Sequence, residues 1–599
     1  MAAETLIGVF LETVATHRRP DQFIIKSAQG WKSITAEQAL HDVECLALAL
    51  REAGVEKGDR VALLAENRYE WPIVDLAVQG LGAALVPIYP TLLAHQVGYI
   101  VANAEAKVAI SSSPAQLEKM QQAVAGLAHV RQLITMEAAP GVPEVPTLAS
   151  VMSRGATLRS QDPGAFRAAA ARVGADDLAT LIYTSGTTGE PKGAMLTHGN
   201  IVSNVRACLQ VIDLGPTDRC LSFLPLCHIF ERMAGLYAMF ASGASIAYAE
   251  SLDTVAANAA QVRPTILCGV PRFYEKAHAR ITDNVRTQPA LRQSIFRWGV
   301  SVGTAMARHR FARTRPSAGL AFQARLADRL VAAKVRARLG GRLRMCISGS
   351  APLSPQVMEF FFAMGLPIHE GYGLTETSPV ICLSPPGREK PGAVGPPIPG
   401  VEVRIGDEGE ILTRGPHVMR GYFRNDEATR VALRDGWFHT GDVGHLDEDN
   451  YLHITDRLKD LIVTAGGKKV APQPIEARLK LSPWISEAVL IGDRRPYVVA
   501  LLAPNVTHLE TEARVRLWSF ERPADLLTRP EVVALYQAAI DTVNVDLAKF
   551  EKIKRFTLFE RELDQDSGEL TPTLKVKRRV IVEKYAAMIE RLYGSAGPD

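Results

Sequence analysis

Two apolar, strand-like runs, Leu178-Ala-Thr-Leu-Ile-Tyr183 and Ala194-Met-Leu-Thr197, flank the segment Thr184-Ser-Gly-Thr-Thr-Gly-Glu-Pro-Lys-Gly193. Their spacing predicts a loop that joins two strands rather than a strand running into a helix. A Walker loop has four residues between its glycines and then Lys-Ser/Thr; here two residues separate Gly186 from Gly189, and Lys192 is followed by Gly193, so an ordinary Walker A is excluded. The glycines still permit close backbone approach, and successive N–H groups can form an anion nest. Hydroxyls of Thr184, Ser185, Thr187 and Thr188, with the Lys192 ammonium, can bind phosphate oxygens. A Ser/Thr/Gly turn is the structural alternative, but a lysine and four hydroxyls exceed what a turn needs, and a polyphosphate ligand is expected.

At 599 residues the chain is too long for one hydrophobic core. Apolar strand-like runs alternate with helical patterns through the first three-quarters, as in Arg60 to Ala65, Trp71 to Gln79 and Ala83 to Ile88, which argues for βα units and mostly parallel sheets. From about Val401 short glycine-punctuated strands take over and predict antiparallel hairpins or a small barrel. After Asp456-Arg-Leu-Lys-Asp460 an α+β texture resumes, with helices expected over 530–548 and 580–592. The fold class is therefore α/β: a large N-terminal domain of mixed and parallel βαβ sheets with a small barrel-like part, residues 1–455, followed by a small α+β domain, residues 456–599.

A formal net charge of +4 is small for this length, and no zinc-finger spacing or other nucleic-acid module is present, so nucleic acid is not an expected partner. Seven scattered cysteines without a C-x-x-C pair predict free, buried thiols in a reducing compartment. The N-terminus has no basic region ahead of an apolar core, and no apolar run approaches the roughly 20 residues of a membrane span. These features place the chain in the cytoplasm, with contact at the inner face of a membrane left open. The stretch Arg308 to Arg344 bears on that point, with eleven Lys or Arg and one acid, Asp328. It reads as a solvated helix face, or as a surface attracting anionic lipid head groups or a substrate's phosphates.

Further segments carry candidate chemistry. His228 lies in Pro225-Leu-Cys-His-Ile-Phe-Glu-Arg232 at the end of a strand-like run, where a histidine is more often a core residue than a catalytic one. Arg344 to Ser354 reads as strand, small-residue turn, then helix with Ser354 as N-cap, which suits a flat ligand over small side chains. Pro367 to Thr377 repeats that order and adds an aromatic ring, Tyr372, and a carboxylate, Glu376. Gly436 to Asp442 reads as a strand ending in an acid that could bind both ribose hydroxyls or serve only as a turn residue.

Taken in order, these segments, with Asp456 to Lys459 and Thr571 to Arg578, resemble the motifs of the adenylate-forming superfamily of acyl-CoA synthetases, adenylation domains and luciferases. Within it, His228-Ile-Phe-Glu-Arg232 and Leu570-Thr-Pro-Thr-Leu-Lys-Val-Lys-Arg578 look like the long-chain fatty acid group, including bubblegum-type members. The resemblance implies a long-chain fatty acid–CoA ligase that uses ATP, coenzyme A and Mg2+ and works through an acyl-adenylate, with a mobile C-terminal domain. It implies Thr184 and Glu376 at magnesium, and residues 184–192, including Ser185, Gly186, Thr187, Thr188, Gly189 and Lys192, at the β- and γ-phosphates. Ser350, Ala351, Pro352, Gly371, Tyr372, Gly373 and Thr375 fall in the nucleotide-binding motifs, with Ala351, Pro352 and Tyr372 around adenine. Asp442 and Arg457 would sit at ribose, His228 near the acyl carboxylate, and Lys459 at the hinge. The family's usual Ser-Gly-Lys near the C-terminus is absent; alignment of Leu574 to Arg578 makes Lys575 the catalytic lysine, with Lys577 the alternative. A ligase for another apolar carboxylate, acyl transfer to a carrier-protein thiol, and a non-catalytic nucleotide-binding relative are the competing readings.

Overall fold

The computed structural model describes residues 3–184, 190–571 and 575–594. The chain divides into two compact units. One comprises Met1–Arg404, Leu412–Thr440 and Leu446–Leu452; the other comprises Ile405–Ile411, Gly441–His445 and His453–Asp599.

The larger unit contains two sheets. A six-stranded sheet runs in the order Gln132–Thr135, Val108–Ser111, Arg60–Leu64, Ala84–Ile88, Leu178–Thr184, Lys192–Thr197. Its first five strands pair in parallel and the last two are antiparallel. The expected loop between strands is thus a hairpin connection at the edge of a parallel sheet. Arg60–Leu64 and Ala84–Ile88 are almost wholly buried, as strands covered on both faces must be, and this is why they read as continuous apolar runs.

An eight-stranded sheet has the order Val380–Leu383, Ile368–Gly373, Met345–Ser348, Ile266–Gly269, Arg219–Ser222, Ser245–Tyr248, Phe23–Ser27, Gly30–Ile34. Only its two outer pairs are antiparallel. The C-terminal ends of its central strands release the segments that carry His228, Ser350 and Glu376, the end at which ligands bind in open α/β sheets. Helix starts follow local chemistry. Thr197 caps His198–Val211 by accepting from Asn200 N–H at 3.1 Å, while the Asn200 side chain accepts from Thr197 N–H at 2.9 Å.

In the smaller unit, Ile485–Ile491 and Val498–Pro504 are antiparallel, and Ile553–Leu558 adds in parallel. Alternate residues face opposite cores. Ala488, Leu490, Val498, Ala500 and Leu502 pack with Leu509, Val532 and Tyr536; Val489, Ile491, Val499, Leu501 and Ala503 pack with Phe559, Ile581 and Ile589.

Several local expectations are corrected. The first expected helix ends at Asn544, because both ends of the Asn544 amide bond the backbone of Ile553, at 2.9 and 3.0 Å. The second is two helices, Arg578–Lys584 and Ala586–Gly594, broken where Tyr585 donates to Glu569 at 2.6 Å and packs on Phe559. Ser354 occupies the N-cap position, but its hydroxyl bonds Gln356 Oε1 rather than the helix backbone. All seven cysteines are buried and unpaired with one another, as expected.

Candidate functional site

Thr184 and Lys192 are ladder partners at the mouth of the hairpin, where Thr184 Oγ1 donates to the Lys192 carbonyl at 3.4 Å. The absence of a side chain at Gly193 matters here: a Cβ would stand 3.0 Å from Cζ of Tyr183, the ring that covers it. Ser185, Gly186, Thr187, Thr188 and Gly189 lie outside the described residues. Beside Lys192–Thr197 runs the segment 419–423. Gly421 C=O accepts from Met195 N–H at 2.9 Å, and Phe423 N–H donates to Gly193 C=O at 2.8 Å. That pairing fixes Tyr422. Its hydroxyl donates to Glu376 Oε1 at 2.8 Å, and Lys192 Nζ lies 5.4 Å from its ring centroid, within range of a cation–π attraction. Met419 N–H donates to the Glu376 carbonyl at 2.8 Å, so the acid is held by both its backbone and its carboxylate. Tyr422, which no motif marks, thus bridges a lysine and an acid far apart in sequence.

Glu376 is 9% exposed, within the short 3-10 turn Thr375–Thr377. Thr184 and Glu376 offer hard oxygen donors, and Mg2+ is commonly held by one or two such groups plus substrate phosphates, so the donor set fits Mg2+ arriving with a nucleotide. Among the described residues no group of three or more His, Cys, Asp or Glu could hold a metal by itself.

The strand Met345–Ser348 ends in a turn where Ser350 adopts φ +72°, with Ala351 and Pro352 exposed. Gly371, Tyr372 and Gly373 close the neighbouring strand, with Tyr372 buried. A Cβ on Gly373 would collide with the Pro379 carbonyl, so this glycine has a packing reason independent of any ligand. A Cβ on Gly349 would stand 3.4 Å from both the Gly371 carbonyl and the Phe230 ring, so the two turns and the His228 segment converge there. Beneath them Glu370 is buried and accepts from Leu353 N–H at 3.2 Å; burial pushes its carboxyl up to about 8, against that hydrogen bond.

His228 is the N-cap of the turn Ile229–Glu231, its Nδ1 accepting from Phe230 N–H at 3.2 Å. The half-buried ring is therefore neither sealed in the core nor fully exposed. Arg232, four residues on, is fully buried. Its guanidinium pairs with Asp75, donates to Thr180 Oγ1 and to the Tyr237 hydroxyl, each at 2.7 Å, and lies over Trp71. Tyr237 in turn donates to Asp75 at 2.6 Å, as does Gln79. Because Thr180 belongs to the strand leading to Thr184, this network ties the histidine turn to the hairpin.

In the smaller unit, Arg457 Nε donates to Asp442 Oδ1 at 2.8 Å. The strand Leu452–Arg457 is anchored by buried Asp456, which accepts from Arg457 N–H at 2.7 Å and Gln473 N–H at 3.1 Å. Lys459 follows in an exposed turn. Lys575 sits in a loop closed by Thr571 N–H to Lys575 C=O, 2.7 Å, and Lys575 N–H to Thr571 Oγ1, 3.0 Å. The residue is exposed overall, yet desolvation around its ammonium lowers its pKa to about 8; Arg457 lowers it further and Asp442 opposes them. Lys575, Arg457 and Asp442 therefore form one electrostatic group. The backbone N–H of Lys577 donates to Glu569 C=O at 2.8 Å just before the next helix. That helix is fixed by Arg578, which grips Glu476 through two bonds of 2.7 and 2.9 Å.

The sequence matches the AMP-binding enzyme model over residues 11–423 and the AMP-binding enzyme C-terminal domain model over 459–597. The chain belongs to the AMP-binding enzyme family. It is 38% identical to the long-chain-fatty-acid–CoA ligase FadD15 of Mycobacterium bovis over 94% of this chain and 92% of that protein. It is 30% identical to the long-chain-fatty-acid–CoA ligase ACSBG1 of Rattus norvegicus over 98% and 85%, respectively. Among solved structures it resembles the adenylation domain of a carboxylate reductase from Mycobacterium chelonae, with TM-score 0.77 and 22% identity over 99% of this chain and 91% of that one, a likeness of fold.

Proposed function

We propose that the chain is an AMP-forming long-chain fatty acid–CoA ligase. The observation that carries this reading is the linkage of Lys192, Tyr422 and Glu376 beside the hairpin that ends in Thr184. It gathers a cation, a hydroxyl and a carboxylate that suit a metal-bound polyphosphate. The similarity to enzymes named long-chain-fatty-acid–CoA ligases over nearly the whole chain supports the choice of substrate.

In the first half-reaction, a fatty carboxylate oxygen bonds to the α-phosphorus of ATP and the bond to pyrophosphate breaks. In the second, the coenzyme A thiolate sulfur bonds to the acyl carbon and AMP leaves. Both partners of the first step are anions, so charge must be neutralised before attack. Thr184 and Glu376 would hold Mg2+, which supplies Lewis-acid neutralisation of the phosphates. Ser185 to Gly189 and Lys192 would bind the β- and γ-phosphates. Ala351, Pro352 and Tyr372 would enclose adenine, with Ser350, Gly371, Gly373 and Thr375 shaping that wall. Asp442 and Arg457 would take ribose, and His228 would border the acyl carboxylate.

Lys575 would neutralise the carboxylate and α-phosphate in the first step only, which requires a mobile C-terminal domain, residues 456–599, pivoting at Lys459. The buried, unpaired cysteines support work in a reducing cytoplasm. The test is pyrophosphate release across saturated acids of increasing length, with and without coenzyme A. Maximal rates for long chains with acyl-CoA as product are expected; a preference for short or aromatic acids, or product only with a carrier-protein thiol, overturns the reading.

A further inference from the structure

The basic stretch Arg308–Arg344 resolves into two populations. Arg308, Arg310, Arg336 and Arg344 are ion-paired, with Glu359, Glu389, Asp328 and Asp218 respectively. Among the described residues no acid pairs with Arg313, Arg325 or Arg329, all of them exposed. Arg325 lies in the helix Ala318–Ala327 and Arg329 in the π turn Asp328–Ala332 that continues it, while Arg313 precedes them.

One face of this element is structural. Ala327 and Val331 are buried, and Val331 fills the space that a side chain at Gly299 would need on the neighbouring helix Ala290–Phe311. A neighbouring face carries Phe322, Leu326 and Leu330, which are 70%, 44% and 37% exposed. Steps of four residues slightly overshoot an α-helical turn of 3.6, and the wider π turn reduces the overshoot in the second step, so the three side chains follow one another as a slowly turning row. Arg325 and Arg329 stand beside that row, each three residues after an apolar member.

We infer that the helix Ala318–Ala327 and its π turn form a docking surface for an anionic lipid bilayer, with Phe322, Leu326 and Leu330 entering the acyl boundary and Arg313, Arg325 and Arg329 meeting head-group phosphates. A charged surface alone would serve any polyanion. The apolar row between unpaired arginines is what a lipid interface satisfies and a nucleic acid does not. Among the described residues no helix is long and apolar enough to cross a membrane, so the contact is peripheral. This inference does not depend on the ligase reading.

The test is co-sedimentation of the full chain with vesicles of phosphatidylcholine alone or with one-third phosphatidylglycerol. At low salt at least tenfold stronger binding to the anionic vesicles is expected, falling as salt shortens the screening length. F322E/L326E and R325E/R329E should each weaken binding at least tenfold, with unchanged melting temperature. Equal binding to both vesicle types, or full binding by both double variants, overturns the proposal. So does absence of vesicle binding together with a self-associated wild type that F322E/L326E converts to monomer, which would assign the row to a second copy of this chain.

Discussion

The hydroxyl of Tyr422 donates to Glu376 Oε1 at 2.8 Å, while the ring of the same tyrosine lies 5.4 Å from the ammonium of Lys192. One side chain thereby bridges the lysine proposed to bind phosphate and the acid proposed to hold the metal. Tyr422→Phe keeps the ring and removes the hydrogen bond. It should raise the Mg2+ concentration needed for half-maximal adenylation about tenfold, the size expected for one charge-assisted hydrogen bond of roughly 1.5 kcal/mol. Glu376→Gln should cost two to three orders of magnitude, about what loss of one transition-state stabiliser costs. Magnesium titrations of pyrophosphate release check both, and near-normal activity of the glutamine variant at low magnesium would remove Glu376 from the site.

The Arg232–Asp75 pair is buried and hydrogen-bonded on every side, so breaking it from one end leaves an uncompensated charge. Asp75→Asn should lower stability by about 3–5 kcal/mol, read as a fall in chemical-denaturation midpoint. Replacing both partners by apolar residues should cost less than the single change. If the single variant were as stable as wild type, the network would not bind the histidine turn to the hairpin strand.

Glu231, next to that arginine, is buried, and burial lifts its carboxyl to about 8 against the Ser222 hydroxyl. Its folded pKa lies above the ordinary carboxylate value of 4.5, so the folded state holds a proton that the unfolded state loses. Stability contributed by the neutral acid is present below pH 4.5 and is lost as pH rises towards 8. Glu231→Gln should therefore stabilise the chain more at pH 8 than at pH 5. Parallel denaturation curves at the two pH values test this, and an equal effect at both would place the carboxylate in a solvated site.

Lys575 offers a kinetic counterpart. With its pKa lowered to about 8 by desolvation and Arg457, against Asp442, the protonated form should be lost as pH rises through 8 rather than near 10.5. Adenylation should fall over that range, and Asp442→Asn should shift the fall to lower pH. Lys575→Ala should cripple pyrophosphate formation yet convert preformed acyl-adenylate and coenzyme A to thioester at close to the wild-type rate. Lys459→Pro, which restricts φ at the proposed pivot, should show the opposite pattern. Loss of both half-reactions in a folded Lys575→Ala chain would contradict domain alternation.

Where apolar runs reported burial directly, the fold was legible. Arg60–Leu64, Ala84–Ile88 and Leu178–Thr184 are strands largely covered on both faces, and Leu178–Thr184 pairs in antiparallel with Lys192–Thr197 as a strand–loop–strand reading requires. Helix ends were less legible because partners remote in sequence decide them: Ile553 stops one helix at Asn544, and Glu569 breaks another at Tyr585. The candidate site divides in the same way. Thr184, Lys192 and Glu376 stand in segments whose composition betrays them. Tyr422 stands in no motif and gains its meaning only from the pairing of its segment with the strand Lys192–Thr197. Arg232 could be seen as a motif residue, and Tyr237 lies one π turn further along the same element, but its partners Asp75 and Thr180 sit on two other elements, and no local pattern joins them.

The most direct measurement is the product stoichiometry of one reaction, with ATP, magnesium, palmitate and coenzyme A, followed by mass spectrometry. The account predicts AMP, pyrophosphate and palmitoyl-CoA in equal amounts, and palmitoyl-adenylate on the enzyme when coenzyme A is left out. ADP and inorganic phosphate as products, or AMP formed at the same rate without a fatty acid, would contradict it.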